Sequence, residues 1–197
     1  PVVHAAAAEV EDYHRVSAEG LPDIAVTGAV AGDLVHLLAE LLDNALRYSP
    51  PSTQVQVSAV PTGNNGLVIE VSDTGLGMTE ADLRVANTRL ESGGEVNPYT
   101  ARHMGLFVVG RLAAQHGLVA RLRSTVAGQA DSGTTAGVYI PSRLLVHTRP
   151  VAHGGTDAQT PADAHAGLVT ALALIALYVV SLPAVVSYVA FMKVEKT

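Results

Sequence analysis

The sequence contains no cysteine and no tryptophan, and aromatic residues make up only 4% of its 197 positions. Without cysteine the chain can form no disulfide bond, no thiolate nucleophile and no cysteine-bound zinc site. Basic residues are also few, 12 against 18 acidic ones, so the formal net charge is -6. Proteins that bind DNA or RNA normally present a basic surface, and this balance therefore argues against nucleic acid as a partner.

Charged residues are scarce, at 15% of the chain, and they are unevenly distributed. All arginines lie between Arg15 and Arg149, whereas both lysines, Lys193 and Lys196, belong to the C-terminal end. Residues 166–192 carry no charged side chain. The mean hydropathy of +0.29 therefore averages an acidic domain with one strongly apolar segment. The length suits one domain with an appendage, or two small domains.

The hydrophobic pattern predicts helices interleaved with strands, which is typical of a two-layer α/β sandwich with a mixed sheet. Apolar faces and end signals predict the helices Ala5–Val16, Asp33–Tyr48 (with Asp33 as its cap) and Met104–His116, and a short helix within 79–103. Apolar runs predict the strands 54–60, 67–71, 118–125 and 135–140. The turn at 62–66 joins the first two strands into a hairpin.

The domain plan follows from these changes in composition. We expect a folded domain over 1–146, a linker over 147–165, an apolar helix over 166–192 and a short polar tail over 193–197. About 20 apolar residues suffice to cross a bilayer, so this helix is expected to span a membrane. A segment of foreign origin and an amphiphilic helix bound to a partner are the alternatives. The chain begins at Pro1 rather than Met, as expected of a fragment.

Polar side chains recur at helical spacing along the second predicted helix. His36, Glu40 and Asn44 project along one stripe, which Arg47 and Tyr48 continue. A buried carboxylate and amide need partners, and Mg²⁺ with phosphate oxygens would supply them. Asn44 would then be an oxygen ligand, Glu40 a water-orienting base and Arg47 a phosphate donor. The alternative is a solvated stripe in which Glu40 and Arg47 form an intrahelical ion pair.

A second polar group, residues 73–78 (DTGLGM), directly follows a predicted strand. Asp73 at the strand end can accept a hydrogen bond from an amino group of a ligand, while Gly75 and Gly77 let the backbone come close. Met78 can lie against a flat ring. The alternative is a tight turn in which Asp73 binds backbone amides.

Together, residues 40–49 (ELLDNALRYS) and 73–78 resemble the N-box and G1-box of the GHKL ATPases, a superfamily that includes histidine kinases, gyrase-type ATPases and Hsp90. The spacing of the boxes and the hairpin between them also match. Ser49-Pro50 after the helix is typical of the sensor histidine kinase branch. The resemblance covers about residues 1–145. It implies the Bergerat fold, with ATP and Mg²⁺ as ligands.

The resemblance also implies roles at the adenine of the nucleotide. Asp73 would bind the amino group of adenine, and Gly77 would allow close approach. Met78 and Tyr48 would pack near the base. Downstream, Thr134 belongs to a run, SGTTA, that resembles the last box of the family. Thr134 would support Asp73 directly or through water.

At the phosphates, the resemblance implies that Asn44 holds Mg²⁺ and that Arg47 contacts phosphate. Glu40 occupies the position where gyrase-type members carry a general base. These implied roles agree with the ones inferred above from the residue types alone. They make Glu40 and Arg47 the candidate catalytic residues.

The third box of the family departs from its usual pattern here. Where family members show three glycines, the run 101–106 (ARHMGL) keeps only Gly105. His103, Gly105 and Leu106 are the residues expected at the phosphates, and the backbone amides of a helix N-terminus would serve there. Arg102 or His103 would compensate for the missing glycines with charge. The alternative is a lid hinge that no longer grips a triphosphate.

These features predict the ATP·Mg-binding catalytic part of a sensor histidine kinase. His14 lacks the acidic neighbour and downstream proline expected of a phosphoacceptor. The acceptor His would therefore lie on a separate dimerisation domain and pass phosphate to a response regulator. A catalytically weak, pseudokinase-like binding module is the main alternative, and a gyrase-like ATPase with Glu40 as base is a third.

Two further runs, 104–114 and 8–16 (AEVEDYHRV), narrow the resemblance to actinobacterial sensor kinases of the nitrate/nitrite-sensing type. Such kinases are often encoded beside Roadblock-type proteins and small Ras-like GTPases, which are therefore implied partners. Use of ATP implies a cytoplasmic domain, attached to the membrane through 166–192.

Overall fold

The computed structural model describes residues 2–18, 20–93, 104–129 and 132–147. Arg102 and His103, the linker from residue 148, the apolar segment 166–192 and the tail 193–197 lie outside these ranges. What the sequence predicts for them stays a prediction. Within the described ranges, no helix is both long enough and apolar enough to cross a membrane.

The described chain contains four α-helices and seven strands, mostly arranged in consecutive pairs of the same type. The helices are α1 (Val2–Ala8), α2 (Gly28–Tyr48), α3 (Glu80–Glu91) and α4 (Met104–His116). The strands are β1 (Val16–Ala18), β2 (Ile24–Val26), β3 (Val55–Pro61), β4 (Leu67–Ser72), β5 (Val119–Ser124), β6 (Thr134–Ile140) and β7 (Leu145–His147). Short 3-10 turns at Tyr13–Arg15 and Ser142–Leu144 lead into β1 and β7.

A five-stranded sheet in the order β1-β3-β4-β6-β5 forms one layer. β1 runs parallel to β3, and the other neighbours are antiparallel, so the sheet is mixed as predicted. β3 and β4 form the predicted hairpin, with Asn65 of its turn at a φ of 61°. β2 and β7 pair separately as an antiparallel ribbon. The two-layer α/β architecture is confirmed.

The core lies between this sheet and α2. On α2 the buried apolar residues recur at helical spacing, and on β3 and β4 alternate residues are buried, as the period of a strand requires. Each fully buried Leu or Val contributes about 1.5–3 kcal/mol relative to exposure. The side chains that carry this packing include Leu34, Leu37, Leu38, Leu42, Val55, Val57, Ile69 and Val71.

The predicted first helix, Ala5–Val16, is wrong beyond Ala8. α1 ends at Ala8, and Val16 begins a strand that pairs with Val55 of β3. Pairing with β3 at the edge of the sheet satisfies the backbone hydrogen bonds of β1. A local apolar pattern does not reveal this pairing, which here overrides the helical propensity of the segment. This strand brings the preceding turn against the end of α2.

The predicted start of the second helix is also wrong. α2 begins at Gly28, with Thr27 in the cap position, so Asp33 is an interior residue. The Asp33 carboxylate lies 2.6 Å from Nε2 of His116, at the end of α4. The side chain that looked like a helix cap therefore joins α2 to α4. α4 ends at His116, as its predicted bounds require, and the next residue, Gly117, has a φ of 64°.

Candidate functional site

Asp73 follows the last residue of β4 and is 6% exposed. Its Oδ1 accepts hydrogen bonds from the backbone amides of Gly75 at 2.7 Å and Thr134 at 3.2 Å. Among the described residues, no donor is recorded on Oδ2. Burial raises the pKa of Asp73 above its ordinary value, and the two amide hydrogen bonds offset part of this rise. One carboxylate oxygen is thus held by the backbone, as the tight-turn interpretation expects, while the other is left for a ligand.

β6 supports Asp73 from the side. Thr134 contacts Asp73 directly, as expected, but through its backbone: its amide binds Oδ1, and its carbonyl accepts from the Asp73 amide at 3.0 Å. Gly133 has a φ of 88°, and a Cβ there would overlap the Asp73 carbonyl oxygen. Thr125, at the end of β5, donates to that same oxygen at 2.9 Å. Sequence reasoning missed Thr125, because nothing in its local pattern distinguishes it from an ordinary strand end.

The loop after Asp73 packs against the end of α2. A Cβ at Gly75 would overlap the carbonyl oxygen of Tyr48, so this position has room only for glycine. Gly77 has a φ of 69°, which favours glycine for a second reason. The Tyr48 side chain is 51% exposed, and Met78 is partly buried against the core. We call Asp73, Gly75 and Thr134 the Asp73 end of the site.

Glu40 and Asn44 of α2 meet α4 at Gly105. A Cβ at Gly105 would lie 2.8 Å from Glu40 Oε2 and 3.0 Å from Asn44 Nδ2. Asn44 Nδ2 is buried and has no hydrogen-bond partner among the residues that the structure describes. A half-turn of this amide would exchange its oxygen and nitrogen, so it can offer either to a ligand. We call Glu40, Asn44 and Gly105 the Asn44 end of the site.

The remaining predicted residues take different places. The Leu106 side chain is buried in the core, so only its backbone, near the described start of α4, is left to contact a ligand. Arg47 is exposed and pairs with Asp43 at 3.2 Å, rather than with Glu40 as the solvated-stripe interpretation supposed. His36 lies 3.8 Å from a carboxylate oxygen of Glu9. The His36 side chain therefore lies beside Glu9 of the segment after α1, and not with the predicted ligand residues of the stripe.

The two ends are joined through α2. Asn44 precedes Tyr48 by four residues, or about 6 Å along a helix axis, and the Tyr48 carbonyl abuts Gly75. Among the described residues, Asp73 Oδ2 receives no hydrogen bond, the buried Asn44 amide nitrogen has no partner, and Gly105 keeps a space open beside it. These groups fit a polar ligand that carries an N–H donor for Asp73 and oxygen acceptors for Asn44. Within the described ranges no group of three or more acidic or His side chains could hold a metal ion.

Residues 29–144 match the family described as Histidine kinase-, DNA gyrase B-, and HSP90-like ATPase. The chain belongs to this family. The match takes in α2, both ends of the site and the five-stranded sheet apart from β1. It confirms the predicted superfamily, whose members are ATPases by the family's description.

Two relatives of this chain are histidine-protein kinases/phosphatases. The chain is 33% identical to the signal transduction histidine-protein kinase/phosphatase MprB of Mycobacterium sp. (strain KMS) over 120 residues, which are 61% of this chain and 23% of MprB. It is 30% identical to MprB of Mycolicibacterium paratuberculosis over 130 residues, or 64% and 25%. The chain thus spans about a quarter of these relatives. They agree with an actinobacterial kinase, and the nitrate/nitrite-sensing subtype stays a prediction.

Among solved structures, a mycobacterial sensor histidine kinase MprB has the same fold. Its TM-score is 0.58 at 20% sequence identity, and the similarity covers 71% of this chain and 93% of that one. The fold predicted from the two boxes is therefore found both in the family and in a solved relative.

Proposed function

We propose that this chain binds ATP with Mg²⁺ and serves as the catalytic part of a sensor histidine kinase. The observation that carries the proposal is the hydrogen bonding of the buried Asp73 carboxylate. Two backbone amides hold one of its oxygens, and no hydrogen bond from a described residue reaches the other. Such a group binds a ligand amino group without having to be rearranged. Family membership supports the same ligand.

At the Asp73 end, the chain would recognise the base. Asp73 Oδ2 would accept a hydrogen bond from the exocyclic amino group of adenine, while the Gly75 and Thr134 amides keep the carboxylate fixed. Gly77 would let the loop backbone approach the ring. Met78 and Tyr48 would lie beside it, with the exposed ring of Tyr48 turning toward the base.

At the Asn44 end, the chain would position the phosphates. ATP supplies the phosphoryl group, and Mg²⁺ neutralises charge on its oxygens. Asn44 would hold the cation through its amide oxygen, and Arg47 would leave Asp43 to contact phosphate. Gly105 and Leu106 would offer backbone amides. Glu40, beside Gly105, would orient the attacking group, and His103 would add charge.

The proposed phosphoryl acceptor is a His on a separate dimerisation domain, and a response regulator would then receive the phosphate. The domain would work on the cytoplasmic side, where ATP is present, attached to the membrane by residues 166–192. Roadblock-type proteins and small GTPases are proposed as further partners. These proposals rest on the resemblance and on the relatives' names.

Titration of the full chain with ATP and ADP tests nucleotide binding. We expect one site whose affinity falls when Mg²⁺ is removed by a chelator. At about 100 times Kd, the nucleotide should stabilise the fold by about 2.7 kcal/mol, which a thermal shift detects. If neither calorimetry nor thermal shift responds to ATP or ADP, the proposal is wrong.

Phosphoryl transfer is tested by adding a His-containing dimerisation domain and radiolabelled ATP. A kinase labels the acceptor, whereas a pseudokinase-like module binds ATP and labels nothing. A gyrase-like ATPase releases phosphate without an acceptor and loses that activity in Glu40→Gln. Glu80→Gln, which changes an exposed carboxylate on α3, is the matched control.

A further inference from the structure

Arg15 is a buried arginine whose hydrogen bonds go mainly to backbone carbonyls. It is 8% exposed. Its Nε donates to the Thr53 carbonyl at 3.0 Å, and Nη2 donates to Pro50 at 2.8 Å and Ser49 at 3.5 Å. Its Nη1 donates to the Leu46 carbonyl at 3.3 Å. The planar guanidinium therefore reaches four carbonyls that lie within eight residues of one another.

The side chain of Asp12 is a weaker partner. Its carboxylate lies 3.4 Å from Arg15 Nη1 and is 54% exposed. Because the Asp12 carboxylate is largely in solvent and the separation is long, this ion pair contributes little on its own. The burial of Arg15 is therefore compensated mainly by the carbonyls, which is the arrangement that the five fixed donors of arginine allow and a lysine does not.

The carbonyls that Arg15 binds belong to the end of α2 and the turn that follows. The last four carbonyls of a helix have no partner within it, and a cation at that end is favourable. Leu46 is one of them. Pro50 also accepts from the Thr53 amide and hydroxyl at 3.0 and 2.8 Å. Arg15 and Thr53 together fix the turn from Ser49 to Thr53.

This turn leaves α2 at Tyr48, the residue whose carbonyl oxygen abuts Gly75. The Gly75 amide in turn donates to Asp73 Oδ1. A continuous set of contacts thus runs from Arg15 through the end of α2 to the carboxylate of the Asp73 end. If the turn shifted, the Tyr48 carbonyl would move against Gly75, which is packed so closely to it that even a Cβ would overlap.

We propose that Arg15 is a positioning residue that holds the end of α2 against Gly75 and so sets the orientation of the Asp73 carboxylate. The proposal rests on the proposed function, in which that carboxylate selects adenine. Arg15 touches no residue of the site directly. Its effect would appear as selectivity for the base, because the contacts of the α2 end lead through Tyr48 and Gly75 to the Asp73 carboxylate.

Selectivity is measured by comparing ADP with inosine diphosphate, which carries a carbonyl oxygen in place of the adenine amino group. We expect Arg15→Met to lower the ratio of ADP affinity to inosine diphosphate affinity by roughly tenfold, because the accepting oxygen is no longer aligned. Arg15→Lys keeps the charge but not the fork of donors, and we expect the ratio to fall in it too.

A control separates positioning from lost stability. Ile140 is fully buried in β6 and pairs with Leu67, at the opposite end of the sheet from Asp73. Ile140→Val destabilises the core without touching the contacts that join Arg15 to Asp73. It should leave the affinity ratio unchanged. Arg84→Gln, at an exposed ion pair on α3, controls for loss of an arginine.

A measurement made without nucleotide tests the role of Arg15 separately from the proposed function of the chain. Hydrogen exchange of the Gly75 amide should be faster in Arg15→Met than in Ile140→Val, when both are compared at equal global stability. Wild-type chain that fails to bind ADP would overturn the proposed function, while this exchange rate still decides the role of Arg15. Equal exchange rates, or an affinity ratio that survives Arg15→Met or Arg15→Lys, would overturn the positioning role.

Discussion

The two ends of the candidate site are built differently. At the Asp73 end, neighbouring strands supply backbone hydrogen bonds, so Asp73 is fixed from both β4 and β6. At the Asn44 end, two helices meet at Gly105, and the buried Asn44 amide nitrogen has no hydrogen-bond partner among the described residues. Backbone amides therefore already orient the carboxylate of the first end, whereas no hydrogen bond from a described residue orients the Asn44 amide nitrogen of the second.

This difference indicates that the two ends recognise different parts of the ligand. A site whose polar groups are already oriented gives selectivity without the cost of ordering them on binding. A buried polar group without a partner is costly, and a ligand that satisfies it gains that energy. The Asp73 end should therefore decide which base is bound, and the Asn44 end should respond to phosphate and Mg²⁺.

Closing the space under Asp73 should have the largest effect. In Gly133→Ala the added Cβ would overlap the Asp73 carbonyl oxygen, and the backbone would also be strained at a φ of 88°. We expect a loss of about 3 kcal/mol or more in the free energy of unfolding, together with loss of nucleotide binding. Urea denaturation and calorimetry measure the two effects.

Gly128→Ala is the matched control for this change. Gly128 has a similar φ of 78°, but a Cβ there meets no atom of the described residues within 4 Å. It should therefore cost only the backbone strain, about 1–2 kcal/mol, and leave nucleotide affinity intact. Equal losses of stability in the two variants would contradict the close packing of Gly133 under Asp73.

Removing the charge of Asp73 should come next in size. Asp73→Asn keeps an oxygen for the Gly75 and Thr134 amides, but it sets an NH₂ group against the adenine amino group. We expect a roughly 10- to 100-fold loss in ADP affinity, since a charged hydrogen bond is worth about 1.5–3 kcal/mol. Asp33→Asn removes a charge from the other end of α2 and should bind normally. An Asp73→Asn affinity close to wild type would contradict the role of Asp73.

Much of this comparison was predictable from the sequence. The alternation in β3 and β4 predicts the hairpin at the centre of the sheet. The two boxes single out Asn44 and Asp73, and the later run SGTTA singles out Thr134. What could not be predicted depends on contacts between distant residues. Arg15 bonds to Pro50 across 35 positions, and Thr125 to Asp73 across 52. No local period records such contacts, which is why residues 13–15 were expected in a helix.

A smaller, pH-dependent effect follows from the burial of Asp73. Burial raises its pKa above the ordinary value of 3.8, so the native chain holds this proton more tightly than the unfolded chain. The resulting stability is complete below the ordinary pKa and is lost as the pH rises through the raised one. Relative to wild type, Asp73→Asn should gain stability over this window and then level off.

Urea denaturation of both proteins from about pH 3 to pH 7 measures that difference, because groups other than Asp73 titrate alike in the two and cancel. ADP affinity should rise over the same window in wild type, since the ionised carboxylate is the better acceptor. A stability difference that is independent of pH would show that Asp73 titrates in the native chain as it does in the unfolded one.

The smallest effect on the fold is expected at the Asn44 end. Gly105→Ala places a methyl group 2.8 Å from Glu40 Oε2 and 3.0 Å from Asn44 Nδ2. Glu40 can turn its carboxylate away, and alanine favours a helix over glycine by about 1 kcal/mol, so stability should change by less than about 1 kcal/mol. Affinity for Mg·ADP should nevertheless fall about tenfold, because the methyl group occupies the space between the two side chains.

Gly32→Ala supplies the comparison for that variant. Gly32 also lies within a helix, α2, but a Cβ there meets nothing within 4 Å. It should gain the same helix propensity and leave Mg·ADP affinity unchanged. Gly133→Ala would then lower both the stability of the fold and the affinity for nucleotide, whereas Gly105→Ala would lower the affinity alone. If Gly105→Ala binds Mg·ADP like wild type, the Asn44 end does not face the phosphates.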